Sequence, residues 1–218
     1  MNLQQLPLFQ GIEYAHLQTI IAETRFDFRK ADAGEIILAE GDPCGQLLFL
    51  LNGSVIATRY AHNHGYSISE THNAPMLIHP EHLFGLRPYS PRTITAKTAV
   101  RLMALSKEEA LRLSRENLVF CLNLQNTIAT QAQKALRQTW QPPPANLRQR
   151  IVRFVQDRCT HPAGEKILNI TLQQLALELA ASRLHVSKEL RAMQRDGLVE
   201  LERAQITIPA LEKLREGQ

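Results

Sequence analysis

Cysteine is scarce: Cys44, Cys121 and Cys159 are the only three in 218 residues. An odd, scattered set excludes a disulfide framework. It also lacks the close spacing of a zinc finger or an iron–sulfur site. Long apolar runs are missing. No stretch approaches the roughly 18 residues that span a bilayer, so no membrane partner is expected. The opening "MNLQQLPLFQGIEY" has no basic start, no long apolar core and no small-residue cleavage site. No signal peptide is read, and the expected compartment is the cytoplasm. Enzyme motifs are missing too. There is no nucleophile elbow, no phosphate-binding glycine loop and no paired carboxylates on a recognisable scaffold. Asp27, Asp32, Glu35, Glu40 and Asp42 scatter over predicted strands and turns. No catalytic residue is assigned and no enzyme is expected. Internal repeats and low-complexity segments are absent.

What is present is uneven in charge. Residues 1–114 carry 10 Lys/Arg and 11 Asp/Glu, residues 115–144 carry 3 and 1, and residues 145–218 carry 12 and 9. The basic excess is C-terminal, which suits a polyanion partner.

The first part reads as strands. After a short predicted helix over Tyr14–Ala22, apolar runs alternate with turn signals. "GEIILAEGDPCG" predicts a strand closed by Gly41-Asp42-Pro43. "QLLFLLNGSVIATRY" predicts two strands joined as a hairpin at Asn52-Gly53, because Asn-Gly supplies the positive φ of a tight turn. "RTITAKTAVRLMAL" predicts two more, split near Lys97-Thr98. Many short, closely spaced strands read as a small barrel or sandwich.

From Ser106 to Trp140 there is no Gly or Pro, and the pattern turns helical. Ser106 with Glu109 is a capping box. A short helix and then a long one are predicted. In the long one Cys121, Leu124, Ile128, Gln131 and Ala135 follow a 3-4 spacing and are taken as the dimerisation seam. A second stripe, Leu118, Leu122, Ala129, Ala132 and Leu136, lies beside it. One stripe can face the strands and the other a partner helix. "QPPPAN" (141–146) is a stiff connector, since three prolines cannot continue a helix. The expected domains are therefore 1–114, a linking helix at 115–141, and 142–218.

In the last part Asn146 can cap one helix and Thr171 another. The stretch Arg183 to Asp196 predicts a further helix, stopped by Gly197 at the C′ position. Ala181-Ser182 joins the last two helices so tightly that they must cross steeply, as in a helix-turn-helix. Leu175, Leu179, Val186, Leu190 and Met193 are spaced to form its core. Ser182, Arg183, Leu184, His185, Ser187, Lys188 and Arg191 remain for the outer face and leading end. Arg can bind guanine bidentately, hydroxyls can reach bases or phosphates, and a helix N-terminus attracts phosphate. Thr171 and the alternating "LVELERAQITIP", read as a two-stranded wing, can hold the sugar-phosphate backbone.

This layout resembles the Crp/Fnr family of bacterial transcription regulators along nearly the whole chain. "LPLFQGI" is similar to the family's opening, "GDPCGQLLFLLNGSV" to its barrel motif, and "SPRTITAKTAVRLMALSKEE" to the strands before its dimer helix. "ITLQQLALELAASRLHVSKELRAMQRDGLV" resembles its helix-turn-helix end to end. The resemblance implies an α+β chain: a cyclic-nucleotide-binding-like β-barrel (a double-stranded β-helix), a long dimerisation helix and a winged helix-turn-helix. It implies a homodimer on two-fold-related half-sites of double-stranded DNA, a small-molecule effector of unknown identity, and contact with RNA polymerase if the protein activates. Acidic residues are common after the matching Arg in the family; here Leu184 stands there.

The effector cassette departs from the family. Cyclic-nucleotide-binding members have Gly-Glu-Leu, about seven residues, then Arg-Ser/Thr-Ala. Here the stretch is "FGLRPYSPRTITA": Gly85, Arg92 and Thr93 match, but no Glu follows Gly85 and Arg87-Pro88 intrude. Ala135-Leu136 fall where a bound base would look for hydroxyls. A buried ribose hydroxyl without its partner would cost roughly 1–3 kcal/mol. Cyclic AMP is therefore disfavoured. The family's oxygen-sensing cluster needs several cysteines near the N-terminus, and none precedes Cys44, so an iron–sulfur cofactor is excluded. His62, His64, His72, His79 and His82 are five of the eight histidines. Their spacings match no fixed ligand pattern, so they read as surface and loop residues and no metal ligand is assigned. The alternative is a haem- or metal-dependent gas or redox sensor acting through the same DNA-binding domain. A ligand sensor without DNA binding would not need the basic, capped helix.

Overall fold

Local sequence signals set most element ends in the computed structural model, which describes residues 3–139 and 142–216. The chain forms two compact units, residues 1–56 with 72–140 and residues 57–71 with 141–218.

In the first unit a short 3-10 turn precedes helix α1 (Tyr14–Glu23). Strands follow at β1 (Asp27–Ala31), β2 (Ile36–Leu38), β3 (Gln46–Asn52) and the start of β4 (Ser54–Tyr60). After β5 (Ser67–Asn73) come β6 (Met76–Ile78), β7 (Thr93–Ala96) and β8 (Val100–Ser106). One antiparallel sheet has the order β1-β8-β3-β6; in the other, β2 pairs with β7, and β7 neighbours β4. This is a double-sheet sandwich of jelly-roll type, the open form of the cyclic-nucleotide-binding-like β-barrel expected, since among the described residues the two sheets share no closing ladder. Ser106 accepts from the Glu109 N–H at 3.2 Å and starts α2 (Lys107–Glu116). Helix α3 (Leu118–Thr139) follows. The Phe9 ring lies 5.8 Å from Phe49 and 5.4 Å from Phe120, so one buried aromatic joins the N-terminal segment, β3 and α3.

Two expectations change here. Asn52-Gly53 does not close a hairpin. β3 pairs with β6 and β8, whereas β4 belongs to the other sheet, so the chain changes layers at Gly53. The positive φ is real, at +85°, and a Cβ there would lie 2.6 Å from the Ala99 carbonyl oxygen. A tight turn signal fixes backbone torsion but not the strand's hydrogen-bond partner. The α3 stripes also divide differently. Leu124 is 6% exposed and Ile128 packs on the same core, so this part of the expected seam is spent within its own chain. Cys121 and Gln131 are half-buried and Ala135 is exposed. Leu118, Leu122 and Leu136 of the other stripe are 71%, 46% and 64% exposed.

The second unit contains α4 (Leu147–Gln156), β9 (Lys166–Asn169), α5 (Leu172–Glu178) and α6 (Arg183–Arg195). It ends with β10 (Glu200–Glu202), β11 (Gln205–Ile208) and α7 (Leu211–Glu216). Its sheet runs β10-β11-β9-β5-β4. Residues 57–71 thus fold with the C-terminal unit, although sequence order assigned all of 1–114 to the first domain. The pairing of β5 with β9 is long-range, and no local signal announces it. Pro142, Pro143 and Pro144 adopt no helix or strand, and Asn146 caps α4 by accepting from the Gln149 N–H at 2.9 Å.

Gly53→Ala is expected to destabilise the protein by about 1–3 kcal/mol, through the positive φ and the clash with Ala99. Urea unfolding of the two proteins measures it; equal midpoints would show that the turn relaxes freely.

Candidate nucleic-acid interface

The caps position the helix pair. The Thr171 hydroxyl accepts from the Gln174 N–H at 3.1 Å and starts α5. Ala180 turns the chain at φ +44°, and the Ala181 N–H returns to the Ala176 carbonyl at 2.9 Å. Ser182 then caps α6 by accepting from the His185 N–H at 3.2 Å. At the far end the Leu198 N–H reaches Met193 O at 2.9 Å and the Gly197 N–H reaches Gln194 O at 3.0 Å, with Gly197 at φ +70°. This paired closure is the Schellman motif. Leu175, Leu179, Val186, Leu190 and Met193 are all buried in one cluster, as their spacing predicts.

With that edge of α6 dry, Arg183, Leu184, His185, Lys188 and Arg191 are exposed and Ser187 is half-buried. Ser182 and Thr171 are exposed, but each hydroxyl already accepts a capping bond. A concavity on one flank of α6 brings Ser182, His185 and Lys188 together with Arg150 and Arg195. A groove on the other flank sets Ser187 and Arg191 beside Glu202 and Gln205 of the wing. Arg150 on α4 and Arg195 at the end of α6 were not singled out by sequence reasoning. Their charge was visible, but only the crossing of α4 with α6 brings Arg150 to this face. Arg203 sits at the wing turn, where Ala204 has φ +59°.

Two acidic residues near this face are engaged. Arg148 Nε lies 3.1 Å from Glu189 Oε1, and its Nη2 pairs with Asp196. Arg150, Arg183, Lys188, Arg191, Arg195 and Arg203 form no ion pair among the described residues. The face therefore offers positive charge to an external anion.

The candidate effector residues are arranged differently. Gly85 has φ +94°, and residues 83–92 contain no helix. The Cys44 N–H donates to Pro88 O at 2.7 Å, Gly41 N–H to Ser90 O at 2.8 Å, and Ser90 N–H to Asp42 O at 2.8 Å. The segment is thus zipped onto the Gly41–Cys44 turn. Arg92 is 6% exposed, and Thr93 Oγ1 accepts from the Glu40 N–H at 3.1 Å. Burial, then the charges of Glu81 and Asp42, push the Cys44 thiol up.

The five histidines do not gather as one group. His72, expected at the surface, is buried on β5, where its ring, the Glu70 carboxylate and the His161 ring offer possible ligand atoms within 4.8 Å of one another. His62 and His64 lie in a loop, with His64 at φ +52° and its ring 5.5 Å from Tyr60. His79 Nδ1 and His82 Nε2 lie 3.6 and 3.9 Å from Glu81 Oε1. Burial would raise the Glu81 carboxyl, but hydrogen bonds from His79 and from its own backbone hold it below the usual range.

A sequence model of the cyclic nucleotide-binding domain matches residues 28–117, and one of the Crp-like helix-turn-helix domain matches residues 149–216. The chain belongs to the Crp/Fnr family. Solved structures show likeness to parts or most of the chain. A transcriptional regulator from Thermotoga maritima is 17% identical with a TM-score of 0.50, over 57% of this chain and 95% of that one. The Thermus thermophilus catabolite activator protein is 19% identical with a TM-score of 0.49, over 96% and 97%. The c-di-GMP responsive global regulator CLP from Xanthomonas campestris is 18% identical with a TM-score of 0.49, over 90% and 99%. No curated protein matches in sequence. Among the described residues no helix is long and apolar enough to cross a membrane.

Proposed function

We propose that this Crp/Fnr-type regulator works in the cytoplasm as a homodimer, reads two half-sites through α6, and responds to an effector other than cyclic AMP. The observation that carries the reading is the outer face of α6: four cationic or hydrogen-bonding side chains stand free while Arg148 neutralises Glu189 and Asp196. Arg183 and Lys188 supply anchors, Leu184 an apolar contact, and Arg150, Arg195 and Arg203 the phosphate contacts that fix register. Two α6 helices of a dimer would enter successive major grooves, roughly 34 Å apart. The exposed stripe Leu118, Leu122, Ala129, Ala132 and Leu136 supports a partner helix better than the stripe containing Leu124. If the protein activates, RNA polymerase is a further partner.

Arg183→Ala should weaken binding to a duplex enriched from random sequence by about 1–3 kcal/mol and leave random DNA almost untouched. Equal losses on both, read by fluorescence anisotropy at fixed salt, would make Arg183 a phosphate contact. Leu122→Glu should convert the dimer to monomer in sedimentation velocity, because the carboxylate would face its own copy across the seam. A dimer that survives would place the seam elsewhere. The zipped segment 88–90 and the buried Arg92 argue against a cyclic phosphate. Cyclic AMP should therefore leave DNA affinity unchanged in titration, and a clear rise would overturn that part. Haem belongs in the same effector screen, since His79 and His82 flank Glu81.

A further inference from the structure

Strand β5 is buried yet written in polar residues. Across Ser67–Glu70 the exposures are 7%, 2%, 8% and 0%, and only Ile68 is apolar. A strand buried on both faces normally reads as a continuous hydrophobic run. Here every polar group has a partner within the same unit. Ser69 Oγ lies 2.9 Å from Thr58 Oγ1, and Ser67 Oγ accepts from Asn169 Nδ2 at 3.3 Å. Glu70 accepts from the Thr160 N–H at 2.9 Å, the Thr160 hydroxyl at 2.9 Å and the His161 N–H at 3.1 Å. Its counter-charge is Lys166, with Nζ 3.2 Å from Oε1; Lys166 is 1% exposed and also donates to the Ala163 carbonyl at 2.8 Å. The pair sits at one end of the β5–β9 ladder, Glu70 opposite Lys166, Ile68 opposite Leu168 and Ser67 opposite Asn169.

A buried ion pair is a poor way to gain stability. Two charges lose their water, and a well-packed apolar pair commonly does as well or better. The same property makes it a good latch. When this strand leaves its seat, its hydroxyls and charges regain water, and of Ser67–Glu70 Ile68 alone leaves an apolar core. An apolar strand would resist leaving and would expose a sticky edge.

We infer that residues 57–71 form a docking hairpin that reversibly pairs with β9, that Glu70–Lys166 is its latch, and that the docked form is the one that binds DNA tightly. This rests on the DNA-binding reading above. The sign comes from what docking supports. Ile68 is part of the core that also holds Leu175, Val186 and Leu190 beneath α5 and α6. β9 pairs with β11 of the wing, and its end leads through Ile170 to Thr171, the cap of α5. The outer face of α6 stays exposed with the hairpin docked, so docking supports the reader without covering it. Because β4 begins in the first unit and ends in the second, the hairpin is also a covalent route by which a change in the N-terminal sandwich can reach the reader.

The test uses the full chain and three variants. Lys166→Met removes the lysine partner of the Glu70 carboxylate, Glu70→Gln keeps the shape and removes the charge, and Glu70→Gln with Lys166→Met removes both charges while the amide oxygen can still accept from the Thr160 and His161 N–H groups. Backbone amide exchange and affinity for the enriched duplex are read on each. Lys166→Met should speed exchange at 67–70 and 166–169 about tenfold or more while 186–193 stay protected, and should weaken DNA binding about tenfold. Glu70→Gln should do the same to a smaller degree, and the double variant Glu70→Gln with Lys166→Met should recover most of both relative to Lys166→Met alone. Unchanged exchange at 67–70 would remove the latch. Faster exchange with unchanged DNA affinity, or loss of protection throughout α6, would remove its control of the reader. If the unmodified protein bound no DNA, the functional reading would fail, and the exchange measurements would still decide whether the hairpin undocks.

Discussion

Val186, Leu190 and Met193 have to be dry, and much else in the C-terminal unit follows. A helix can bury only one stripe, and these three lie four and three residues apart. At 0%, 3% and 0% exposure they turn that edge of α6 toward α4 and α5. Leu184, Lys188 and Arg191 then have nowhere to go but outward. The caps convert this rotation into a defined rod. Ser182 ends the turn and begins the helix, and Gly197 stops it. Which residues can meet a nucleic acid is thus decided by hydrophobic burial, before any contact with DNA is considered.

Charge then sets what the exposed face does. α6 is not purely basic, and Glu189 would repel a phosphate. Arg148 answers this from α4 by taking Glu189 and Asp196 together. One guanidinium thereby holds α4 against α6 and removes two negative charges from the neighbourhood of the reader. The pair is partly exposed, so its worth to folding is small. Its worth to the field at the surface is larger, because it leaves Glu202, beside Arg191 in the wing groove, as the unneutralised acid described at this face. In the N-terminal unit the logic reverses. Arg92, the residue a cyclic phosphate would need, is buried, and the segment before it is hydrogen-bonded to the Gly41–Cys44 turn.

What the sequence made legible was local chemistry. Ser106, Asn146 and Thr171 were readable as caps because a cap bonds to an amide two or three residues away. The helix pair was readable because its core spacing and its breaker residues lie within about thirty positions. Long-range pairing was not legible. Asn52-Gly53 carries a hairpin's torsion preference, yet its flanking strands join different sheets. The two stripes of α3 are both apolar, and only the ring of Phe9 against Phe120 and the burial of Leu124 show which one the chain uses for itself. Strand β5 was the least legible. "SISET" alternates weakly and looks solvent-facing, and its burial depends on Lys166 nearly a hundred residues away.

Leu184 sets the leading end of α6 apart. It is 76% exposed beside Arg183, at the end of α6 where the N–H dipoles point outward. An exposed leucine contributes nothing to the core, so folding does not explain it. Against a thymine methyl it could recover up to roughly 1.5–3 kcal/mol of burial. It would also strip water from the neighbouring guanidinium, and a hydrogen bond made in a drier place discriminates more sharply. An acidic residue there would instead accept from a cytosine amino group and pair with Arg183 when DNA is absent. Leucine does neither. In the DNA-reading role proposed for α6, specificity at the base next to Arg183 would pass from a hydrogen-bond code to a shape and methyl code.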